Sequence, residues 1–280
     1  MSGGQAPASA GAGFLDPLGM VRNLWRQRRL ISALARREIQ GKYRGSLFGT
    51  AWSAITPLLM LAIYTFVFSV VFQSRWGQEG DRLDFALILF LGMLCFNIFA
   101  EVVVRAPGLI VGNVNYVKKV VFPLEILPCV ALATSLFHAA ISFLVWLCAM
   151  LLFGRGVPAT IVFLPLYLLP LILATVGVAW FLAALGVYLR DIGQVISVLI
   201  TGLLFLSPIF FSARSVPEAF RPLIVWNPLS HLLEGLRAVA VFGESPEWIA
   251  LSLLLLGALP IAWAGHAFFQ ATRRGFADVV

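Results

Sequence analysis

Four basic residues near the start of the chain are the first candidates for chemistry. Arg36, Arg37, Lys42 and Arg44 lie in RREIQGKYRGSLFGTAWSAITPLLM, residues 36–60, which turns from charged to apolar within a few residues. Guanidinium and ammonium groups form the charge-assisted hydrogen bonds that bind phosphate. Beside an apolar segment, such charges anchor a membrane protein at the anionic inner leaflet and set its orientation. We therefore expect this cluster to lie at a membrane surface.

A second polar group interrupts RAPGLIVGNVNYVKKVVFPLEILP, residues 105–128. Its members are Asn113, Asn115, Lys118 and Lys119. The broken apolar pattern between two prolines indicates one short helix lying on the inner membrane surface, or else a plain basic loop. In the first case the segment could serve as a docking surface for a cytoplasmic partner.

A third polar group follows Asn227. His231, Glu234 and Arg237 recur at three-residue spacing and therefore form a polar stripe on a helix. Asn227 followed by proline is a typical helix start. Two apolar pieces, each too short to span a membrane, flank this start: residues 219–226 and 229–242. We expect two short re-entrant helices in the outer leaflet; an external amphipathic hairpin is the alternative.

The chain lacks the common signatures of catalysis. It contains no GxxxxGK[ST], HExxH or GxSxG sequence and no metal-spaced histidine cluster. We therefore expect no catalytic residue, no metal site and no cofactor in this chain. No carboxylate lies in the middle of an apolar run, so an ion-coupled transport mechanism has no obvious residue to drive it.

The composition places these groups in a membrane. Of the 280 residues, 60% are hydrophobic and 12% charged, whereas soluble domains are about a quarter charged. The net charge of +7 is concentrated beside apolar runs, which favours a membrane rather than a nucleic-acid partner. We predict an all-α integral membrane protein with six transmembrane helices, at residues 50–72, 85–104, 125–152, 160–189, 193–212 and 248–270.

The flanking charges predict the topology. With a cytoplasmic N-terminus, fourteen Lys and Arg residues lie on the inner side and six on the outer side. Both termini should therefore be cytoplasmic. We divide the chain into a mobile tail (1–19), an interfacial amphipathic helix (20–46) and a six-span transmembrane domain (47–280).

Four stretches resemble ABC exporter permeases of the polysaccharide-export branch. They are RREIQGKYRGSLFGTAWSAITPLLMLAIYTFVF, NYVKKVVFPLEILP, YLRDIGQVISVLITGLLFLSPIFF and NPLSHLLEGLRAVAVFG, in family order over about residues 30–245. The resemblance implies a homodimer in the cell inner (plasma) membrane with two copies of a separate ATP-hydrolysing subunit, which would bind ATP and Mg²⁺. It implies a lipid-linked glycan as cargo, most closely O-antigen on polyprenyl diphosphate, whose head group the basic cluster would contact.

A polysaccharide cargo also gives the aromatic residues a possible role, because sugars bind to aromatic faces. The channel-lining candidates in the first two spans are Tyr64, Phe68, Phe72, Phe96 and Phe99. Such residues also commonly face lipid. The alternatives are an exporter of teichoic acid, capsule or galactan, a small-molecule ABC efflux permease, and a membrane-embedded transferase of the same pathway.

Overall fold

The computed structural model describes residues 16–73, 76, 82–118 and 122–279, and within them it is helical without a β-strand. The α-helices are α1 (Pro17–Arg26), α2 (Arg28–Lys42), α3 (Trp52–Tyr64), α4 (Arg82–Arg105), α5 (Val114–Val117), α6 (Ile126–Leu152), α7 (Leu164–Tyr188), α8 (Ile192–Leu206), α9 (Arg221–Val225), α10 (Pro228–Arg237), α11 (Trp248–Thr272) and α12 (Phe276–Val279). Short 3₁₀ or π-helical turns extend several of them, so that α3 lies within one helical stretch from Gly49 to Val71.

Five helical stretches of the described residues are long and apolar enough to cross a membrane. They are Gly49–Val71, Leu83–Gly108, Ile126–Leu152, Ala159–Tyr188 and Trp248–Val279. They agree, within a few residues at most ends, with five of the six predicted spans; the last continues nine residues beyond its predicted end.

The predicted span 193–212 differs from the structure. Helix α8 has 15 residues and ends at Leu206, so at 1.5 Å per residue it is about 22 Å long, against a hydrocarbon core of about 30 Å. The chain becomes extended at Ser207 because this residue precedes a proline, which disfavours helical backbone. The part of the chain that the structure describes thus contains five candidate spans and one shorter apolar helix, α8.

The N-terminal region also differs from its prediction. Where one helix was expected over 20–46, α1 and α2 are separated by a break at Gln27. Helix α1 already begins at Pro17, inside the predicted tail, because the Asp16 carboxylate accepts a hydrogen bond from the Leu18 amide at 3.0 Å. Residues 1–15 of that tail lie outside the described residues.

Helix α4 lies at the centre of the bundle, with residues such as Leu89 and Val102 fully buried. Helices α7 and α11 form another extensive contact. There, Gly177 of α7 brings its backbone against that of Ile261 and Ala262 in α11. A small residue permits such a close approach between membrane helices.

Ion pairs lie at both ends of the bundle. At one end, which we call the basic end, Arg105 pairs with Glu38 of α2, and Arg273 at the end of α11 pairs with Glu125 just before α6. At the opposite end, Arg155 after α6 pairs with Asp84 of α4 at 3.0 Å. Helices α1, α2 and α5 lie at the basic end, whereas α9 and α10 lie at the opposite end.

Candidate functional site

A cavity of about 1170 Å³, which we call the opposite-end cavity, lies between α10 and the bundle. Aromatic rings and carboxylates line it together: Phe68, Trp76, Phe85, Tyr167, Phe210 and Phe211, with Glu234, Glu244 and Glu247. Ser212, Ser215 and Ser245 add hydroxyl groups. Ring faces beside hydrogen-bond acceptors suit a polyhydroxylated ligand, whose C–H faces stack and whose O–H groups donate.

The aromatic wall of this cavity is a stacked group from three elements. The Phe68 ring lies 5.5 Å from that of Phe85 on α4 and 6.2 Å from that of Phe210, both in stacked orientation. Phe210 follows α8, and its ring also stacks on Phe205 at 5.8 Å. Stacked rings at these separations hold one another in place.

The predicted polar stripe reaches the same cavity. Helix α10 begins as predicted: the Asn227 side chain accepts a hydrogen bond from the Leu229 amide at 3.0 Å, with Pro228 in the first turn. His231 and Glu234 are exposed and line the cavity.

Arg237 also lines the cavity but is only 2% exposed. Its guanidinium donates to the carbonyl oxygens of Pro208 at 2.5 Å and Ile209 at 3.0 Å. It also lies 4.4 Å from the centre of the Trp76 ring and against Gly92 of α4. Arg237 therefore ties α10 to the segment after α8.

A second space, the basic-end groove of about 640 Å³, lies between α3, α4 and α6. Lys42 and Tyr43 of the α2 end, Tyr64 of α3, and Phe90 and Asn97 of α4 are among its lining residues. Lys42 Nζ lies 3.7 Å from Glu101 Oε1, and Glu101 in turn lies 4.0 Å from Arg105, the pair expected from their i,i+4 spacing. A chain of alternating charges thus surrounds one end of the groove.

The four residues of the basic cluster differ in their surroundings. Lys42 is the one that lines the groove. Arg36, Arg37 and Arg44 are exposed, and among the described residues none of these three forms an ion pair.

Tyr43 connects α2 to the groove wall. Its hydroxyl lies 2.8 Å from His138 Nε2, and His138 Nδ1 lies 2.8 Å from the carbonyl oxygen of Thr134. Since a carbonyl oxygen only accepts, Nδ1 carries the proton in the neutral ring and Nε2 accepts from Tyr43. Burial, and secondarily the Glu101 carboxylate, raises the pKa of Tyr43, which keeps this hydroxyl a donor.

The five aromatic candidates separate into different surroundings. Tyr64 lines the basic-end groove and Phe68 the opposite-end cavity. Phe72 is 65% exposed, and its ring meets that of Phe68 edge-on at 5.8 Å. Phe96 is 3% exposed within the core, and Phe99 is partly buried against it.

The docking candidates lie at the basic end. Asn115 and Lys118 are exposed on and beside α5, a helix of only four residues. The Asn113 amide instead donates to the carbonyl oxygen of Leu109 at 2.9 Å and so stabilises its own turn. Lys119 lies outside the described residues.

Glu125 is a buried residue that the sequence reasoning did not single out. Its side chain accepts hydrogen bonds from Asn23 of α1 and from Arg273 at the end of α11. The available signal was an acidic residue between two prolines at the start of an apolar run. Within the described chain, no group of three or more His, Cys, Asp or Glu side chains could hold a metal ion.

Comparison with known protein families identifies the family to which the chain belongs. The profile of the family described as "ABC-2 type transporter" matches residues 29–241, about three quarters of the chain. The chain belongs to the ABC-2 transporter membrane family. The matched residues of this ABC-2 protein include all of α2 except its first residue, the whole basic-end groove and helix α10.

Curated relatives of the ABC-2 chain match it nearly end to end. It is 26% identical to the O-antigen export system permease protein RfbA of Myxococcus xanthus, over 93% of this chain and 99% of that protein. It is 25% identical to the polysialic acid transport protein KpsM of Escherichia coli, over 87% of this chain and 93% of that protein. It is also 25% identical to the capsule polysaccharide export inner-membrane protein CtrC of Neisseria meningitidis, over 89% and 96%.

Proposed function

We propose that this chain is the membrane-spanning permease subunit of an ATP-driven exporter of lipid-linked polysaccharide, with polyprenyl-diphosphate-linked O-antigen as the nearest cargo. The observation that carries the proposal is the match over 93% of the chain to a permease of an O-antigen export system. Capsule, teichoic acid or galactan would be handled by the same chemistry. Of the relatives, KpsM is named for polysialic acid transport and CtrC for capsule polysaccharide export.

The arrangement of the two spaces supports a polymer as cargo. Tyr64 of α3 meets Phe90 of α4 at 6.4 Å beside the groove. Phe68, in the π-helical turn that continues α3, pairs with Phe85 of α4 and borders the opposite-end cavity. The two helices thus present successive aromatic pairs from one space toward the other. A sliding glycan needs repeated weak contacts of this kind rather than one tight site.

The basic end supplies the groups that a lipid diphosphate would need. In the proposal, exposed Arg36, Arg37 and Arg44 attract the head group electrostatically, and Lys42 meets it at the groove. Because Lys42 lies 3.7 Å from Glu101, the arriving phosphate would compete with that carboxylate. Lys42 would then exchange one anionic partner for another without becoming an unpaired charge.

Energy must come from another subunit in this proposal, since the chain carries no P-loop sequence. Two ATP-hydrolysing cassettes, which would bind ATP and Mg²⁺, would dock on residues 107–122, which we call the docking segment. Asn115 and Lys118 are exposed there. The basic end would face the cytoplasm of a cell with this protein in its inner membrane, and both termini would lie there. Helix α8 with the segment after it would supply the sixth crossing, and α9 and α10 would form re-entrant helices.

The export step would then follow from cassette closure. Closure would press on the docking segment and shift the helices around the groove, so that the lipid head enters and the glycan passes outward along the α3–α4 aromatic pairs. His231 and Glu234 at the opposite-end cavity would offer hydrogen bonds to the emerging sugar hydroxyls.

Depletion of the protein in its own host tests the proposal. Lipid-linked glycans would be extracted from both sides of the membrane and sized, with a plasmid copy of the gene as the rescue control. Carrier-linked polymer should accumulate inside while the surface loses it. Unchanged surface glycan would rule out the polysaccharide assignment, and accumulation of a small molecule would indicate a different ABC cargo.

A further inference from the structure

Glu125 lies where the docking segment joins α6, and only 4% of it is exposed. Its Oε1 atom accepts a hydrogen bond from Asn23 Nδ2 at 3.0 Å, and its Oε2 atom accepts one from Arg273 Nη1 at 2.9 Å. These donors lie 102 and 148 residues away along the chain. One carboxylate therefore joins α1, the end of α11 and the end of the docking segment.

The backbone around Glu125 is held by the same neighbours. The indole N–H of Trp180, in α7, donates to the Glu125 carbonyl oxygen at 2.8 Å. Arg273 Nη2 donates to the Phe122 carbonyl oxygen at 3.0 Å, so its guanidinium spans side chain and backbone together. A planar guanidinium is suited to such a two-point contact, which a lysine could not reproduce.

The other end of the docking segment is also attached to α7. A Cβ atom on Gly186 would lie 2.6 Å from the Cα atom of Pro107, so the two backbones are in direct contact. Between this contact and Glu125, residues such as Val111, Asn115 and Lys118 are exposed. In its described part, the docking segment therefore has exposed residues between Val111 and Lys118 and is held by contacts at Pro107 and Phe122.

We infer that Glu125 is a positioning residue through which displacement of the docking segment reaches α1, α7 and α11. This inference rests on the proposed function, since it assumes that a cassette presses on the segment. Because the carboxylate is buried and paired, a rigid connection at this point would transmit the movement rather than absorb it. Loss of the pairing would leave the segment free to move without its neighbours.

The substitution Glu125→Gln tests the connection with little change in shape. The glutamine oxygen can still accept from Asn23, but its amide would point a donor toward Arg273. Asn23→Asp is the second variant, because it places a carboxylate against Glu125 and separates α1 alone. Glu218→Gln is the matched control, since Glu218 pairs with Arg221 at 3.7 Å but is 90% exposed.

Three quantities are measured on the intact complex in lipid vesicles: the rate of ATP hydrolysis, the glycan exported per ATP, and the nucleotide-dependent signal of a fluorescent label at exposed position 22 in α1. We expect Glu125→Gln to retain ATP hydrolysis, to lower export per ATP on the order of tenfold, and to lose the label response. Asn23→Asp should lose the label response, and Glu218→Gln should resemble the unsubstituted protein.

The inference is overturned if Glu125→Gln keeps both the export ratio and the label response. It is also overturned if hydrolysis and export fall in proportion to a lower yield of folded complex, because that pattern shows a structural role alone. A normal label response without any glycan export by the unsubstituted protein would instead reject the proposed function. The label response of Glu125→Gln would then still decide the inference.

Discussion

Replacing Gly177 with alanine should separate α7 from α11. A Cβ atom at this position would lie 2.5 Å from the carbonyl oxygen of Ile261 and 2.6 Å from the Cα atom of Ala262. Ordinary contacts of carbon atoms are about 3.5 Å, so the two backbones must move apart by about 1 Å. Both opposing atoms belong to the backbone of a helix, which leaves no flexible side chain to absorb the overlap.

The expected cost follows from two opposing effects. Overpacking costs about 1–3 kcal/mol, whereas alanine in place of glycine inside a helix gains up to about 1 kcal/mol. Gly257 of α11 provides a matched control, because nothing lies within 4 Å of its added Cβ atom and only the helix gain applies. The two variants should therefore differ in stability by about 1–3 kcal/mol.

Thermal unfolding in one detergent measures this difference. For a chain of this size, about 1 kcal/mol corresponds to roughly 2–4 °C, so Gly177→Ala should unfold several degrees below Gly257→Ala. The order of the two midpoints matters more than their absolute values, since both variants share solvent and chemistry. If Gly177→Ala unfolds at or above the temperature of Gly257→Ala, the close α7–α11 contact is refuted.

Three further changes test the proposed roles. Lys118→Glu should lower cassette binding in co-purification by about tenfold, because it reverses an exposed charge at the docking segment. Arg221→Glu, at the opposite end, is the control and should leave cassette binding unchanged. An equal loss of binding in both variants would contradict the docking role of Lys118. Arg237→Met should destabilise the protein by about 1–3 kcal/mol, because two buried carbonyl groups lose a charged hydrogen-bond donor. An unchanged midpoint of thermal unfolding would show that the Arg237 hydrogen bonds do not stabilise the fold. Arg36→Gln with Arg37→Gln should weaken binding of vesicles carrying a polyprenyl diphosphate by several-fold, more at low than at high salt; a salt-independent loss would contradict electrostatic capture.

Most of the spans could be predicted from the sequence, because an apolar run of about 20 residues has few other places to lie. Local signals also succeeded: the Asn227 cap and the i,i+4 pair of Glu101 with Arg105 are set by neighbours within four residues. The early end of α8 had a local signal too, Ser207 before a proline. The prediction of a longer span followed instead from the apolar residues that continue beyond this proline.

The surroundings of single side chains could not be predicted in the same way. A span that is apolar all round gives no indication of which face is buried, so Phe96 in the core and Phe68 at a cavity looked equivalent. Arg237 was expected in a polar stripe together with His231 and Glu234, but it is buried, and its carbonyl partners come from residues 28 and 29 positions earlier. Contacts at such separations depend on the assembled fold.

The difference in burial between α3 and α4 indicates on which side of the bundle a polymer would pass. In its most apolar stretch, 61% of the span that contains α4 is buried, against 11% of the span that contains α3. Among the described residues, core side chains such as Leu91 and Phe96 fill the middle of the bundle. The α3 surface is open by comparison, and α3 borders both the groove and the cavity. The homodimer that the resemblance implies would complete such a passage if its second copy lay against the α3 side.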